Sequence, residues 1–383
     1  MKIVVASDKY KGSLSANEVC GIIAASIADI DNTIEIIINP MADGGEGTVE
    51  TLVESLNGRY VEVKVTGPLG NYVDSRFGII NKDVAAIEMS AASGLWLVPY
   101  DRRNPMETTT YGTGELIKKA AEMGCRKVIM GLGGSSTNDG GMGMAQALGV
   151  RFYNNKGSLL GLGGSQLSKI SKIDVSGMDK DVLDMIYECA CDVDNPLTGK
   201  NGAAYIYASQ KGADTNMIKE LNRGLINFSK IVKNDIGKNI RDLKGAGASG
   251  GLGGGMVAFL NAKLRVGVNI IIEVTRLEEK IKKADLIITG EGAFDKQTFF
   301  GKSAFGVANL AKKYNIPVIT INGSVLVDRN SINRSEGSLF SGNFSILNKP
   351  MELSEAIENS SVLLGNTTKE ILNFFLKIKR NSH

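Results

Sequence analysis

Histidine is all but missing from this chain. The single one is His383, the last of 383 residues. That argues against a Ser-His-Asp triad, a histidine general base and a histidine-ligated metal. Proton transfer must fall to Asp, Glu, Lys or Tyr. Any metal must be held by oxygen ligands or by the substrate, as Mg2+ usually is. Cysteine is scarce as well. Cys20, Cys125, Cys189 and Cys191 form no CxxC pair and no disulfide framework, so we expect a reducing, cytoplasmic setting. No run reaches the 18 or so apolar residues of a membrane span. The four-residue apolar run after Lys2 is too short for a signal peptide. The net charge is only +3 and evenly spread, which gives no footing for nucleic acid. With seven prolines, the chain is not a disordered Pro/Gly polymer.

What is present in excess is glycine. There are 46, about one residue in eight against an average of about 7%. They fall in clusters: Asp43-Gly44-Gly45-Glu46-Gly47, Gly112-Thr113-Gly114, the run GLGGSSTNDGGMG from Gly131 to Gly143, Gly161–Gly164, the run GAGASGGLGGG from Gly245 to Gly255, and Gly290-Glu291-Gly292. Clustered glycine marks places where backbone must approach something closely. The length favours two domains.

Several apolar runs are each followed by a turn and an amphipathic stretch. KIVVA (Lys2–Ala6), TIEIII (Thr33–Ile38), KVIMGL (Lys127–Leu132) and DLIIT (Asp285–Thr289) are of this kind, and PVITI (Pro317–Ile321) and FSIL (Phe344–Leu347) follow. This alternation predicts a mostly parallel sheet with helices on both faces. Arg59–Met89 alternates in YVEVKV and turns at GPLG, which reads as antiparallel. Residues 150–280 mix strands, glycine clusters and a long polar helix near Met217–Ile236. Leu353–Lys379 reads as one or two closing helices. We therefore expect two α/β domains, one Rossmann- or flavodoxin-like and mostly parallel, the other with a mixed sheet. The first would comprise 1–64, about 105–138 and 280–383. The second would comprise about 65–104 and 139–279.

The most informative loop is GLGGSSTNDGGMG, between a buried strand and a helix. Its glycines let backbone N–H groups turn toward an anion. Ser135, Ser136, Thr137 and Asn138 add short donors, while Asp139 would orient Mg2+ or simply cap the helix. Glu291 and Asp295 follow a strand at the end where open α/β sheets bind ligands, placed for catalysis, for Mg2+ or, as plain loop acids, for neither. Asp192 and Asp194 are two apart and would share a face in extended chain, either as paired carboxylates or as turn formers before Asn195-Pro196. Lys9 and Lys11 follow the first strand and would meet a phosphate or a carboxylate, and Lys211 in SQKGA is similar. Two decoys fail. Gly301-Lys302-Ser303 ends like a Walker A loop, but the required first glycine is Lys296. Gly245–Gly250 matches GxGxxG but follows the polar IRDLK rather than a buried strand.

Taken in order, SDKYKGSLSA, PMADGGEGT, GPLG, EMSAASGL, TTTYGTGELI, GLGGSSTNDGGMGMAQALG, ACDVDNPLTG, SQKGA, GAGASGGLGGG, ADLIITGEGAFDKQT and GKSAFGVA resemble the bacterial glycerate kinases from about Lys2 to Leu376. The resemblance departs at Ser7, where the family usually has proline, at Ala293-Phe294 for Arg-Ile, and at Ala304 for proline. It implies two α/β domains with a cleft site that closes to exclude water. It implies phosphorylation of D-glycerate by ATP with Mg2+, 2-phosphoglycerate being the favoured product, in a monomer or homodimer. On this reading Asp295, Asp192 and Lys11 are catalytic. Lys9, Asp43, Glu291 and Lys211 bind substrate. Gly133, Gly134, Ser135, Ser136, Asn138 and Asp139 hold ATP, and Asp192 and Asp295 contact the Mg2+. The alternatives are a kinase for a related small hydroxy acid or a non-catalytic sugar-acid-binding protein.

Overall fold

The computed structural model describes residues 1–327 and 339–381. The chain folds as two compact units, one made of Met1–Asp43 with Gly267–His383 and the other of Gly44–Val266.

The first unit is built on five strands, all parallel, in the order Glu35–Ile38, Lys2–Val5, Leu286–Thr289, Val318–Asn322 and Gly342–Ser345. Counted along the chain within this unit, the order is 2-1-3-4-5, the flavodoxin-like arrangement. Ile3, Val4 and Val5 are fully buried, as are Leu286, Ile287 and Ile288 to within a few per cent. Such continuous β-branched runs suit a strand covered on both faces. Ile3, Val5, Ile288 and Ile321 pack with Val19, Ile23 and Ile27 of helix Ala16–Ile30 and with Leu364 and Leu372 of helix Ser360–Asn381. The alternate residues face helix Ser303–Lys312, which lies against strands Leu286–Thr289 and Val318–Asn322. Helix Ala16–Ile30 begins with a capping box: the Glu18 N–H donates to Ser15 Oγ at 3.3 Å, and the Ser15 N–H donates to Glu18 Oε2 at 2.8 Å.

The second unit carries a six-stranded mixed sheet ordered Lys263–Arg265, Ile186–Ala190, Lys127–Gly131, Val84–Glu88, Tyr72–Ile80, Arg59–Thr66. The first four strands run parallel and the last two pair antiparallel, as the alternation in Arg59–Met89 predicts. Phe77, Met130, Phe152, Phe228 and Leu252 belong to its core. The long helix Thr215–Ile236 is capped by Asp214, whose Oδ1 accepts from the N–H groups of Asn216 and Met217, and ends at Gly237 with φ 80°.

The two-domain α/β architecture is the one expected, but the division of the chain differs. Residues 44–64 and 105–138, expected with the first unit, lie in the second, and 267–279, expected with the second, lie in the first. Strand Lys127–Gly131 pairs with Val84–Glu88 and Ile186–Ala190, not with the parallel sheet that contains Lys2–Val5. A buried apolar strand followed by a helix looks the same in either sheet. Only long-range pairing assigns it, and here one uninterrupted segment is inserted rather than two interleaved ones.

Gly290 marks where this topology is tightest. A Cβ there would stand 1.7 Å from the Ile321 carbonyl oxygen. Gly290→Ala should lower stability by about 1–3 kcal/mol, the usual cost of overpacking. Urea unfolding monitored by circular dichroism would measure it, and an unchanged midpoint would contradict the close approach.

Candidate active site

In a flavodoxin-like sheet, ligands bind beyond the carboxyl ends of the strands where the strand order reverses. Here that point lies between Lys2–Val5 and Leu286–Thr289. The segment after the first strand is Ala6-Ser7-Asp8-Lys9-Tyr10-Lys11, and after the second it is Gly290-Glu291-Gly292 with Asp295 beyond. The two segments are bound together. The Asp8 N–H donates to the Gly290 carbonyl at 2.9 Å, and Ser7 Oγ donates to the same oxygen at 3.0 Å. Ser7 thus supplies a link that the usual proline lacks. A side chain at Gly292 would meet the Lys11 backbone nitrogen at 3.1 Å. The glycines of this loop therefore serve close backbone approach on both sides.

Four acids and three cations gather on these segments and their neighbours. Glu291 is nearly buried. Its Oε1 accepts from Thr298 Oγ1 at 2.6 Å, and its Oε2 pairs with Lys302 at 3.1 Å. Burial pushes its carboxyl above the usual range, while Thr298 and Lys302 oppose the shift. Asp295 is half-buried. Its Oδ1 accepts from the Gln297 N–H at 2.7 Å and lies 3.8 Å from Lys302. Lys302, from the failed Walker signature, is therefore the counter-ion of the Gly290–Asp295 loop. Phe294 is buried against Phe299 and Phe340 at centroid distances of 5.6 and 5.3 Å, which explains an aromatic at this departure. Lys9 is half-buried and Lys11 exposed.

The residue that motif reading passed over is Asp8. It is only 9% exposed. Its Oδ2 accepts from Ser303 Oγ at 2.5 Å and its Oδ1 from the Lys9 N–H at 2.7 Å. Its carboxyl is raised to about 7, first by burial and then by the charge of Asp43. The signal was available, because Asp8 occupies the same strand-end position that singled out Lys9 and Lys11. Ser303 had no such signal, since 295 residues separate it from its partner.

In the second unit the loop after Lys127–Gly131 divides into an open and a buried part. Gly133 and Gly134 reach the surface, whereas Ser136, Thr137, Asn138 and Asp139 are at most 1% exposed. Among the described residues, no carbonyl or side chain accepts from the N–H groups of Gly133, Gly134 or Ser135. Gly134 has φ +66°, a left-handed conformation that glycine adopts without strain, and Gly45 lies beside Gly133. Unsatisfied backbone donors on a glycine edge are suited to an anion. The rest of the loop is scaffold. Asp139 accepts from the Thr110 N–H and Oγ1, both at 2.8 Å, and from the N–H groups of Gly141 and Gly143. Burial raises its carboxyl despite these donors. Ser136 Oγ donates to the Ser93 carbonyl at 3.0 Å. Among the described residues, the Asn138 side-chain amide and Thr137 Oγ1 are buried without a protein partner.

Lys211 lies beneath this loop, 1% exposed, and donates to Ser135 Oγ at 2.7 Å and to the Thr137 carbonyl at 2.6 Å. Burial lowers its ammonium to about 7, and Asp139 opposes the shift. The second glycine-rich run also serves the loop. A Cβ at Gly250, where φ is +68°, would stand 2.0 Å from the Thr137 carbonyl oxygen. The GxGxxG match is thus a packing surface. Asp192 and Asp194 are exposed, and Asp194 pairs with Lys244 at 3.2 Å. No group of three or more His, Cys, Asp or Glu able to hold a metal occurs among the described residues, and no helix among them is long and apolar enough to cross a membrane.

A flavodoxin-like unit with acids and lysines at its switch point, together with an anion-ready glycine loop, defines a phosphate-handling α/β enzyme. The sequence profile of the Glycerate kinase family matches residues 3–376. The Bacillus subtilis (strain 168) protein named Glycerate kinase is 45% identical over 372 residues, 97% of each chain. The Escherichia coli (strain K12) protein named Glycerate 2-kinase is 47% identical over 329 residues, 86% of each. A crystal structure from Salmonella typhimurium LT2, whose description also reads glycerate kinase, superposes with a TM-score of 0.91 at 43% identity over 99% of both chains. The chain belongs to the glycerate kinase family and is a kinase.

Lys211→Met keeps the volume and removes both donors. Leaving Ser135 Oγ and the Thr137 carbonyl unpaired should cost about 1–3 kcal/mol. Calorimetry should show the loss, with faster hydrogen exchange at residues 133–139. A variant as stable as the parent would mean that the lysine does not hold the loop.

Proposed function

We propose that the chain transfers the γ-phosphoryl group of ATP to D-glycerate, giving ADP and 2-phosphoglycerate. The observation that carries this reading is the near full-length match to proteins named for glycerate phosphorylation, one of them as a 2-kinase. The site chemistry supports it. Phosphoryl transfer asks a protein for positioned phosphates, neutralised charge and an oriented nucleophile rather than for covalent chemistry. In the second unit, the N–H groups of Gly133, Gly134 and Ser135 receive nucleotide phosphate oxygens, while Ser136, Asp139 and Lys211 keep that edge in place. In the first unit, Lys9 and Lys11 pair with the glycerate carboxylate or the moving phosphoryl group. Asp43 and Glu291 take part in holding the substrate.

Mg2+ fits as an ion that arrives with the nucleotide. Such an ion needs only one or two protein carboxylates beside phosphate oxygens, which agrees with the lack of a three-acid cage among the described residues. Asp295 is the oxygen donor we assign to it. When bound, the ion would neutralise phosphate charge. We also place the enzyme in the cytoplasm, where four free, buried cysteines stay reduced.

The test is a coupled assay for ADP with D-glycerate as acceptor, with the product identified by NMR. Glycerate-dependent ADP formation and a 2-phosphate product are expected, and no glycerate-dependent turnover would refute the proposal. Asp295→Asn should raise the Mg2+ concentration for half-maximal rate by about 10–100-fold, and an unchanged Mg2+ dependence would remove Asp295 from the ion. Lys11→Met should raise KM for glycerate or ATP, and unaltered kinetics would place Lys11 outside the site.

A further inference from the structure

We propose that Asp8, at the carboxyl end of strand Lys2–Val5, is the general base that takes the proton from the attacking hydroxyl group. The inference rests on the kinase reading above and adds to it a residue and a step.

Three features of position single out Asp8. It lies three residues beyond strand Lys2–Val5, at the point where strand order reverses, while Asp295 lies six residues beyond Leu286–Thr289. Its carboxylate is held by donors on two elements, Ser303 Oγ at the start of helix Ser303–Lys312 and the Lys9 N–H, so its direction is defined. It retains a small exposed face, 9%, enough to meet a hydroxyl group without bulk water. The competing acids Glu291 and Asp295 both lie within reach of the Lys302 cation, at 3.1 and 3.8 Å.

In the step, a lone pair of the hydroxyl oxygen attacks the γ-phosphorus as its proton passes to an Asp8 oxygen. The new O–P bond forms while the bond from the γ-phosphorus to the bridging oxygen breaks, and that electron pair leaves on ADP. The proton on Asp8 is afterwards lost to solvent. No other reactant is needed.

A base works best when its proton affinity lies near the working pH, and the surroundings of Asp8 arrange this. Burial raises its carboxyl to about 7, helped by Asp43, while Ser303, the Lys9 N–H and the Lys9 charge act against the rise. Cys20 of helix Ala16–Ile30 also faces it, among the described residues, and its thiol is pushed up to about 12 by burial and stays neutral.

Such a group has a definite effect on stability. The carboxyl titrates higher in the folded chain than in the unfolded one, so the unfolded chain ionises first as pH rises from about 4 to about 7. Folding stability is lost over that window, and the full penalty stands above it.

The experiment compares the wild type with Asp8→Asn, Ser303→Ala and Asp43→Asn in three readouts. First, with D-glycerate and a panel of small hydroxy acids, Asp8→Asn should lower kcat by about 10²–10⁴-fold, with nucleotide affinity by calorimetry within a few-fold of wild type. Second, the wild-type kcat should fall below pH about 7. Ser303→Ala should move that limb up and Asp43→Asn should move it down. Third, with no substrate present, 13C NMR of labelled aspartates should show one carboxyl titrating near 7 that is missing in Asp8→Asn. That variant should also melt at a higher temperature than wild type at pH 8 and at nearly the same temperature at pH 4. Turnover of Asp8→Asn within tenfold of wild type, or a limb unmoved in both other variants, would overturn the assignment. A wild type inactive on every acceptor would instead refute the kinase reading, and the inference with it, whatever the NMR titration showed.

Discussion

Everything at the switch point depends on the pairing of strand Lys2–Val5 with Leu286–Thr289. Their register sets Ile3 beside Leu286 and Val5 beside Ile288, so the residues that follow each strand emerge side by side. Asp8 and Gly290 are then hydrogen-bonded although 282 positions separate them. Without this pairing the lysines and acids of the two segments would be ordinary loop charges. With it, they gather at the carboxyl ends of adjacent parallel strands.

The same pairing explains why the loop after Thr289 must be Gly-Glu-Gly. Gly290 is pressed so closely by the Ile321 carbonyl that no side chain fits, and Gly292 lies tight against the backbone at Tyr10 and Lys11. Between them Glu291 turns inward to Thr298 and Lys302. The second unit solves a related problem differently. Its glycine edge at Gly133–Gly134 stays open, and the stretch behind it is pinned from three directions by Thr110, Ser93 and Lys211. Asp8, Asp139, Glu291 and Lys211 are all shifted against their charged forms by burial. Ionisable groups shifted in this way gather at sites shaped for chemistry.

Much of this was legible from residue patterns. The alternation of apolar runs and helices gave the architecture, and the near-absence of histidine directed attention to Asp, Glu and Lys. The strand-end rule brought Lys9, Lys11, Glu291 and Asp295 forward, and the structure gathers them on one unit. Asp8 was missed because a single acid between Ser and Lys has no motif of its own. Ser135–Asp139 looked like a continuous cradle because small polar residues read alike whether they face a ligand or fill a core. Only burial separates Gly134 from Asn138. The sequence points to Lys211 as a substrate-binding cation, since nothing near it in the chain announces that Ser135 and Thr137 will close over it.

By itself, then, the order of residues determined the elements, the kind of sheet each could join and the loops where chemistry would lie. Those properties are local, set by side-chain periodicity, β-branching and the conformational freedom of glycine. Only the tertiary structure decided that Lys127–Gly131 belongs to the mixed sheet, that Ser303 reaches Asp8, and that Lys211 supports the loop from within. Each of these is a choice among distant partners of similar chemistry. It is made by the packing of whole strands and helices, which no short stretch of sequence contains.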